Sequence, residues 1–327
     1  MSGILIYTSI VCDMVSTPTK EVLGMGRAIA DKTGETVSAA LLGADASSLT
    51  QDLIDSGADA VYTVQNDKLS EFKANIYLKA LEDVVAEAQP GLILFPGEAA
   101  AMELAPRLAH RLDAGLVTDC IEFDVQDHTV IFTKPVYGSK ALARMKITSP
   151  VALATVRPRT QESFSAEAGR TGETISVVSD LDTLAPESET VERVEEEILE
   201  CTLEDANVVV SGGRGLKDVE SFEQLRQLAR MLNGAVGATR VAVDQAMVPP
   251  SCQIGLTGKI VAPDVYFAVG ISGASQHIAG MSGSKYIVAI NSDPDAPIFS
   301  ISNVGVVEDY RNILPTLIEE LRKNLGK

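Results

Sequence analysis

The chain has 327 residues, more than one hydrophobic core ordinarily serves, and its 46% apolar and 22% charged composition is that of an ordered globular protein rather than a disordered one. A formal net charge of −18 repels nucleic acid and anionic membrane surfaces, which removes both from the partners to be expected. No apolar run approaches the roughly 18 residues of a bilayer span, and the start MSGILIYTSIVCDM lacks a basic targeting segment. The four cysteines (Cys12, Cys120, Cys201, Cys252) include no Cys-x-x-Cys pair, so no metal site is expected and a reducing, cytoplasmic setting is.

In chain order, ILIYTS (4–9), TVSAALLG (36–43), DAVYTV (59–64) and GLILFPG (91–97) read as buried strands. Amphipathic stretches such as ANIYLKALEDVVAEA (74–88) separate them. Strand and helix in alternation predict right-handed crossovers and a parallel sheet. From 119 to 157 the connections shorten, and CIEFDV, TVIFTKPVYG, KALARMKI and PVALATVR read as antiparallel hairpins appended to that sheet. Residues 180–205 carry eleven carboxylates against the single cation Arg193. They read as a solvated connection with an edge strand at VERVEEEILE.

The alternation restarts near 204, which predicts two Rossmann-like α/β domains, 1–203 and 204–327. NVVVSGGRG is a strand running into a glycine loop, VESFEQLRQLARMLN a helix, and AVGATR, DVYFAVG, KYIVAINSD and NVGVVED further strands. A helix near 311–325 closes the series, with Pro315 expected in its first turn. From Glu204 onward 13 acidic and 11 basic residues nearly cancel, leaving −16 on residues 1–203. So uneven a distribution points to different jobs for the two halves.

Four loops of the second domain are expected to follow strands and to meet at the carboxyl edge of its sheet, where open parallel sheets bind ligands. Ser211–Gly215 offers glycines for close backbone approach and the cation Arg214. Gly270–His277 ends a strand in glycine and opens a helix with Ser272, Gly273 and Ala274, which aims N–H groups at an anion such as pyrophosphate. Gln253–Lys259 and Asn291–Asp293 are polar turns. Taken singly, each of the four reads equally well as a plain turn. The chain has no P-loop motif, no strict GxGxxG and no nucleophile elbow. The pattern suits a protein that holds a cofactor doing its own chemistry.

Five segments, in this order, closely resemble the C-terminal domain of electron-transfer flavoprotein alpha subunits: VVVSGGRGL (208–216), AVGATRVAVD (235–244), QIGLTGKIVAPDVYFAVGISGASQHIAGM (253–281), IVAINSDPDAPIF (287–299) and VEDYRNILP (307–315). ELAPRLAHRLDAGLVTD (103–119) and TVRP (155–158) resemble the family's first domain more loosely. The resemblance implies an extended FAD in residues 204–327. Arg214 and Arg240 would then lie beside the isoalloxazine ring, with Thr239 as the hydroxyl residue preceding Arg240 and Thr257 near the flavin N5. Gln253, Gly255, Gly258, Lys259, Ser272, Gly273, Ala274 and Gln276 would complete the cofactor shell. His277 would reach the pyrimidine carbonyl, and Asn291 and Asp309 the ribose and AMP half. Two positions depart from the common pattern: Leu256, where many members have Gln, and Met247, where many have an aromatic residue.

The resemblance further implies a heterodimer with a beta subunit, bound through residues 1–203. It also implies one-electron relay between NADH or an acyl-CoA-type dehydrogenase and an acceptor, either as a simple shuttle or inside a flavin-bifurcating complex. No catalytic residue is assigned. The alternative is an adenine-nucleotide-binding regulatory module without redox activity, which would lack the yellow colour of a flavin.

Overall fold

The structure is a computed structural model, and it describes residues 3–45, 47–192, 203 and 206–325. It divides into two compact units, 1–193 and 194–327. The expected boundary at 203/204 and most of the expected strand VERVEEEILE fall within 193–205, of which only Leu203 is described.

The first unit is built on strands β1 (Ile4–Tyr7), β2 (Val37–Gly43), β3 (Ala60–Gln65), β4 (Leu92–Pro96), β5 (Gly115–Cys120), β9 (Ala152–Val156) and β10 (Glu173–Ser176). They form one parallel sheet in the order β10-β3-β2-β1-β4-β9-β5. Alternation along β1 feeds both faces, Ile4 and Ile6 into one core cluster and Leu5 and Tyr7 into the other. Helix α1 (Thr17–Thr33) shows why helices form where they do. Ser16 caps its start by accepting from the Thr19 N–H, Val22, Met25, Gly26 and Ile29 repeat at helical spacing, and Gly34 at φ 77° ends it. Helices α2 (Thr50–Asp55), α3 (Ala74–Ala88) and α4 (Ala99–Arg111) follow, and α3 covers the span expected from the sequence.

The segment 119–157 corrects one expectation. β6 (Glu122–Gln126), β7 (Thr129–Val136) and β8 (Ala141–Lys146) do form an antiparallel sheet, in the order β8-β7-β6. PVALATVR does not join it. β9 instead lies parallel between β4 and β5, deep in the main sheet. The three antiparallel strands thus replace the usual helix as the crossover from β5 to its parallel neighbour β9. The run Val151–Val156, apolar except for the buried Thr155, fits a strand covered on both faces.

The second unit has the parallel order β12-β11-β13-β14-β15, from β11 (Val208–Gly212), β12 (Ala235–Ala238), β13 (Val265–Val269), β14 (Tyr286–Asn291) and β15 (Val304–Val307). Numbered from its own first strand, this is the doubly wound order 2-1-3-4-5, with its switch point between β11 and β13. Helices α5 (Val219–Met231) and α8 (Tyr310–Leu325) cover one face through Phe222, Leu225, Leu228, Leu314 and Ile318. Each such side chain, fully buried, contributes about 1.5–3 kcal/mol. The other face carries loop residues, Ile254, Val261, Ile271, Met281, Ala296 and Ile298. The loops expected to hold a ligand are therefore also the lid of a core.

Two further expectations change. Pro315 is the sixth residue of α8 and not part of its first turn, so the helix runs through it with one backbone donor fewer. The loop 253–259 follows a single turn at Pro250–Cys252 rather than a strand. It reaches the sheet edge through a bridge between Ala238 and Gln253.

Candidate functional site

At the switch point the two glycine loops lie backbone against backbone. The Gly213 N–H donates to the Val269 carbonyl (2.9 Å) and the Gly215 N–H to that of Gly270 (3.2 Å). A Cβ on Gly213 would stand 2.3 Å from the Gly270 oxygen, so no other residue fits without parting the loops. Next along the chain, the N–H groups of Ser272, Gly273 and Ala274 donate to no acceptor among the described residues. Gly273, at φ 90° and pressed on the Ile298 backbone, permits that turn. The helix α7 that follows (Ser275–Ile278) is a single turn, shorter than the opening helix expected. The loop's own amides, more than a helix dipole, are what an anion would meet.

On one side of this contact the β12 end turns into α6 (Arg240–Asp244). The Thr239 N–H donates to the Gly212 carbonyl (3.0 Å). Its Oγ1 is buried without a partner and makes no helix-capping bond. A buried hydroxyl left unpaired costs about 1–3 kcal/mol, a cost that a ligand acceptor would remove. Arg240, its side chain 67% exposed, has a long pair with Asp244 (3.5 Å), which is too solvated to hold it. Arg214 is exposed.

The loop 253–259 is braced internally, with Gln253 Nε2 donating to Thr257 Oγ1 (3.0 Å) and the Lys259 N–H to the Gln253 carbonyl (2.7 Å). Gly255 (φ 145°) and Gly258 close it tightly, and the Gly258 N–H donates to the Gly255 carbonyl (3.1 Å). Leu256 stands 60% exposed at its tip while its N–H donates to the Gln276 carbonyl (2.9 Å). The side chain of Gln276 is exposed.

On the other side a cleft with about 400 Å³ of empty space is lined by Gly215, Lys217, Gly270, Asn291, Ser292, Glu308, Asp309, Tyr310 and Arg311. Asn291 ties the β14 end to the glycine loop by donating to the Ile271 carbonyl (2.9 Å) and accepting from the Asp293 N–H (2.9 Å). Asp309 accepts from the Arg311 N–H (2.9 Å). Lys217 and Arg311 were not among the residues expected at the site, although each lies within three residues of one that was. Two cations beside a glycine turn and a carboxylate were the available signal. Tyr310, missed as well, donates to the Leu216 carbonyl (3.0 Å) and bonds Ser221 Oγ (2.8 Å), pinning α8 to the 214–218 turn.

His277, unlike its neighbour Gln276, is buried. Its ring is 5% exposed, with Nδ1 on the Ile254 carbonyl (3.0 Å) and Nε2 on the Tyr266 hydroxyl (2.9 Å). A carbonyl only accepts, so Nδ1 carries the proton and Nε2 accepts from tyrosine. Burial, partly opposed by the Ile254 carbonyl, pushes its pKa down to about 4, and the imidazole is neutral.

Two family models match the chain: an electron transfer flavoprotein domain over residues 13–182 and an electron transfer flavoprotein FAD-binding domain over 202–282. The electron transfer flavoprotein subunit alpha of Bacillus subtilis is 40% identical over 310 residues, covering 93% of each chain. The chain belongs to the electron-transfer flavoprotein alpha-subunit family. Its counterpart from Thermoanaerobacterium thermosaccharolyticum is 39% identical over 305 residues, covering 93% of this chain and 92% of that one. The protein FixB of Azorhizobium caulinodans is 35% identical over 320 residues, at 94% and 85% coverage. FAD is thus the cofactor of this electron-transfer protein. The residues present suit it: free loop amides for a pyrophosphate, an unpaired buried hydroxyl at Thr239, and exposed cations at Arg214 and Arg240. Among the described residues, no helix is long and apolar enough to cross a membrane.

Proposed function

We propose that the chain is the FAD-carrying half of a cytoplasmic heterodimer with an electron-transfer flavoprotein beta subunit. It relays electrons singly from NADH or an acyl-CoA-type dehydrogenase to an acceptor. The observation that carries this reading is the meeting of unpaired donors at the carboxyl edge of the 2-1-3-4-5 sheet. The Ser272–Ala274 amides, the Thr239 hydroxyl and Arg214 all stand there within one run of packed loops. FAD supplies the redox chemistry; the residues of the chain bind it and set the field around it. The Ser272, Gly273 and Ala274 amides hold the pyrophosphate, and Asn291 and Asp309 take the ribose and adenosine half. Arg214 and Arg240 place positive charge beside the ring, favouring its reduced forms. Thr257, oriented by Gln253, and Thr239 fix the ring edge, with Gly255 and Gly258 shaping that loop and Lys259 and Gln276 flanking it. Residues 1–203, which carry the acidic excess, serve the partner interface, and 204–327 the cofactor.

Co-purification with the beta subunit tests this. A relay shows FAD reduced by a dehydrogenase and its substrate, then reoxidised by an acceptor; a heterodimer inert to both dehydrogenase and NADH contradicts it. The same preparation separates the two forms the family allows. A simple shuttle holds one FAD and ignores NADH, whereas a bifurcating complex holds two and bleaches with NADH alone.

A further inference from the structure

Lys217 holds a conformation that its own chemistry does not favour. It follows the single turn Arg214–Leu216 at φ 68° and ψ −25°. In that left-handed region a side chain crowds the backbone, and glycine is the usual choice. The surrounding turn enforces it. The Lys217 N–H donates to the Arg214 carbonyl (3.2 Å) and the Asp218 N–H to that of Leu216 (2.9 Å). Asp218 in turn caps α5 by accepting from the Ser221 N–H (2.8 Å), and the Tyr310 hydroxyl holds the Leu216 carbonyl from α8 (3.0 Å). Such strain persists only where the surroundings over-determine it, and it gathers where ligands are held.

The turn makes no use of the side chain. Lys217 is exposed, and its ammonium makes no hydrogen bond or ion pair among the described residues. The other charged groups lining the cleft are engaged locally. Arg311 Nε donates to the Tyr310 hydroxyl (3.3 Å), and its guanidinium lies 5.5 Å from the centre of that ring. Glu308 accepts from the Asp309 N–H (2.8 Å) and from Asn312 Nδ2 (3.2 Å), and Asp309 accepts from the Arg311 N–H (2.9 Å). Among the described residues lining the cleft, Lys217 is thus the cation left unengaged. It shares that cleft with Gly270, two residues before the Ser272–Ala274 amides. A compact ammonium on a flexible stem suits a phosphate held there.

We propose that Lys217 is a further cofactor-binding residue, a cation that pairs with the pyrophosphate of FAD from the cleft. This rests on the FAD reading above and adds a side-chain charge to the loop amides already assigned to that group. The left-handed turn is retained because it brings the ammonium to the cleft wall, not because the fold prefers it.

Affinity and stability should therefore follow different properties of position 217. FAD is titrated into deflavinated full-length protein purified with its partner, for wild type, Lys217→Arg, Lys217→Gln and Lys217→Gly, with binding followed by flavin fluorescence. The same cofactor-free preparations are unfolded in urea. Affinity should follow charge. Lys217→Arg should bind within about twofold of wild type, and Lys217→Gln and Lys217→Gly each about fivefold more weakly, the upper end for a solvated ion pair. The gap should close in about 1 M salt, where charges are screened within ~3 Å. Stability should follow conformation. Lys217→Gly, which relieves the left-handed strain, should unfold at the same or a higher urea concentration, and the other two where wild type does. Equal affinity in all four overturns the assignment. So does weak binding by Lys217→Gly with full binding by Lys217→Gln, because the backbone and not the charge is then at work. A lower urea midpoint for Lys217→Gln or Lys217→Gly overturns it as well, making the lysine a structural group. Each of these results leaves FAD on the wild type; a wild type that takes up no FAD overturns the functional reading and this assignment together.

Discussion

Thr239 shows how a single atom separates a fold requirement from a functional one. Its buried, unpaired Oγ1 burdens the protein without ligand. Thr239→Val, which keeps the shape, should stabilise the cofactor-free chain by up to about 1 kcal/mol while weakening FAD about tenfold. Urea unfolding and FAD titration check the two opposite signs. Arg240 is solvated, so its field at the ring is partly screened. Arg240→Ala should lower the potential of the first electron by about 50 mV, close to a tenfold change in that equilibrium, as read by spectroelectrochemistry; an unchanged potential would remove Arg240 from the ring's surroundings. His277 gives a pH signature. Its pKa is about 4 in the folded chain against an ordinary 6.5, so between those values the unfolded chain binds the extra proton. Its contribution is complete above pH 6.5 and is lost as pH falls toward 4, by up to about 3 kcal/mol. His277→Asn should flatten that part of the stability curve. The sequence marked position 277 as part of the site but could not show what holds its ring. Its partners are Tyr266 and Ile254, which are 11 and 23 residues away in the chain.

At the scale of elements, periodicity located nearly every strand and helix around the site, because each carries its own apolar pattern. Neighbours were harder to read. PVALATVR looked like a hairpin arm because its connection to β8 is short, whereas its partners β4 and β5 are set by an apolar run that needs cover on both faces. Likewise Pro315 suggested a helix start. α8 begins earlier, at Tyr310, whose hydroxyl joins Leu216 and Ser221. This junction fixes the turn beneath Gly215, and only the folded chain brings its parts together. Tyr310→Phe leaves the Leu216 carbonyl and the Ser221 hydroxyl short of a partner. It should cost about 1–2 kcal/mol in urea unfolding and loosen FAD, with faster exchange at Leu216.

For the whole molecule, the two alternating α/β stretches and the five ordered motifs made both fold class and family legible from sequence. What they could not supply was the strand order, because that is decided by which faces must be buried and not by any local pattern. The order 2-1-3-4-5 is what puts the Ser211–Gly215 and Gly270–His277 loops side by side at a switch point. Residues 1–203 carry −16 of the charge, which suits a role toward a partner more than toward an anionic cofactor. Placement of FAD in the second unit can be measured directly on protein purified with its partner and then denatured. The released flavin is identified and counted by chromatography, for wild type and for Gly273→Ala. That substitution forces a Cβ to 2.4 Å from the Ile298 nitrogen and so distorts the amide-bearing turn. Wild type should release FAD, and the variant at least one equivalent less; release of FMN alone, no flavin, or an FAD content untouched by Gly273→Ala would contradict a cofactor held at this turn.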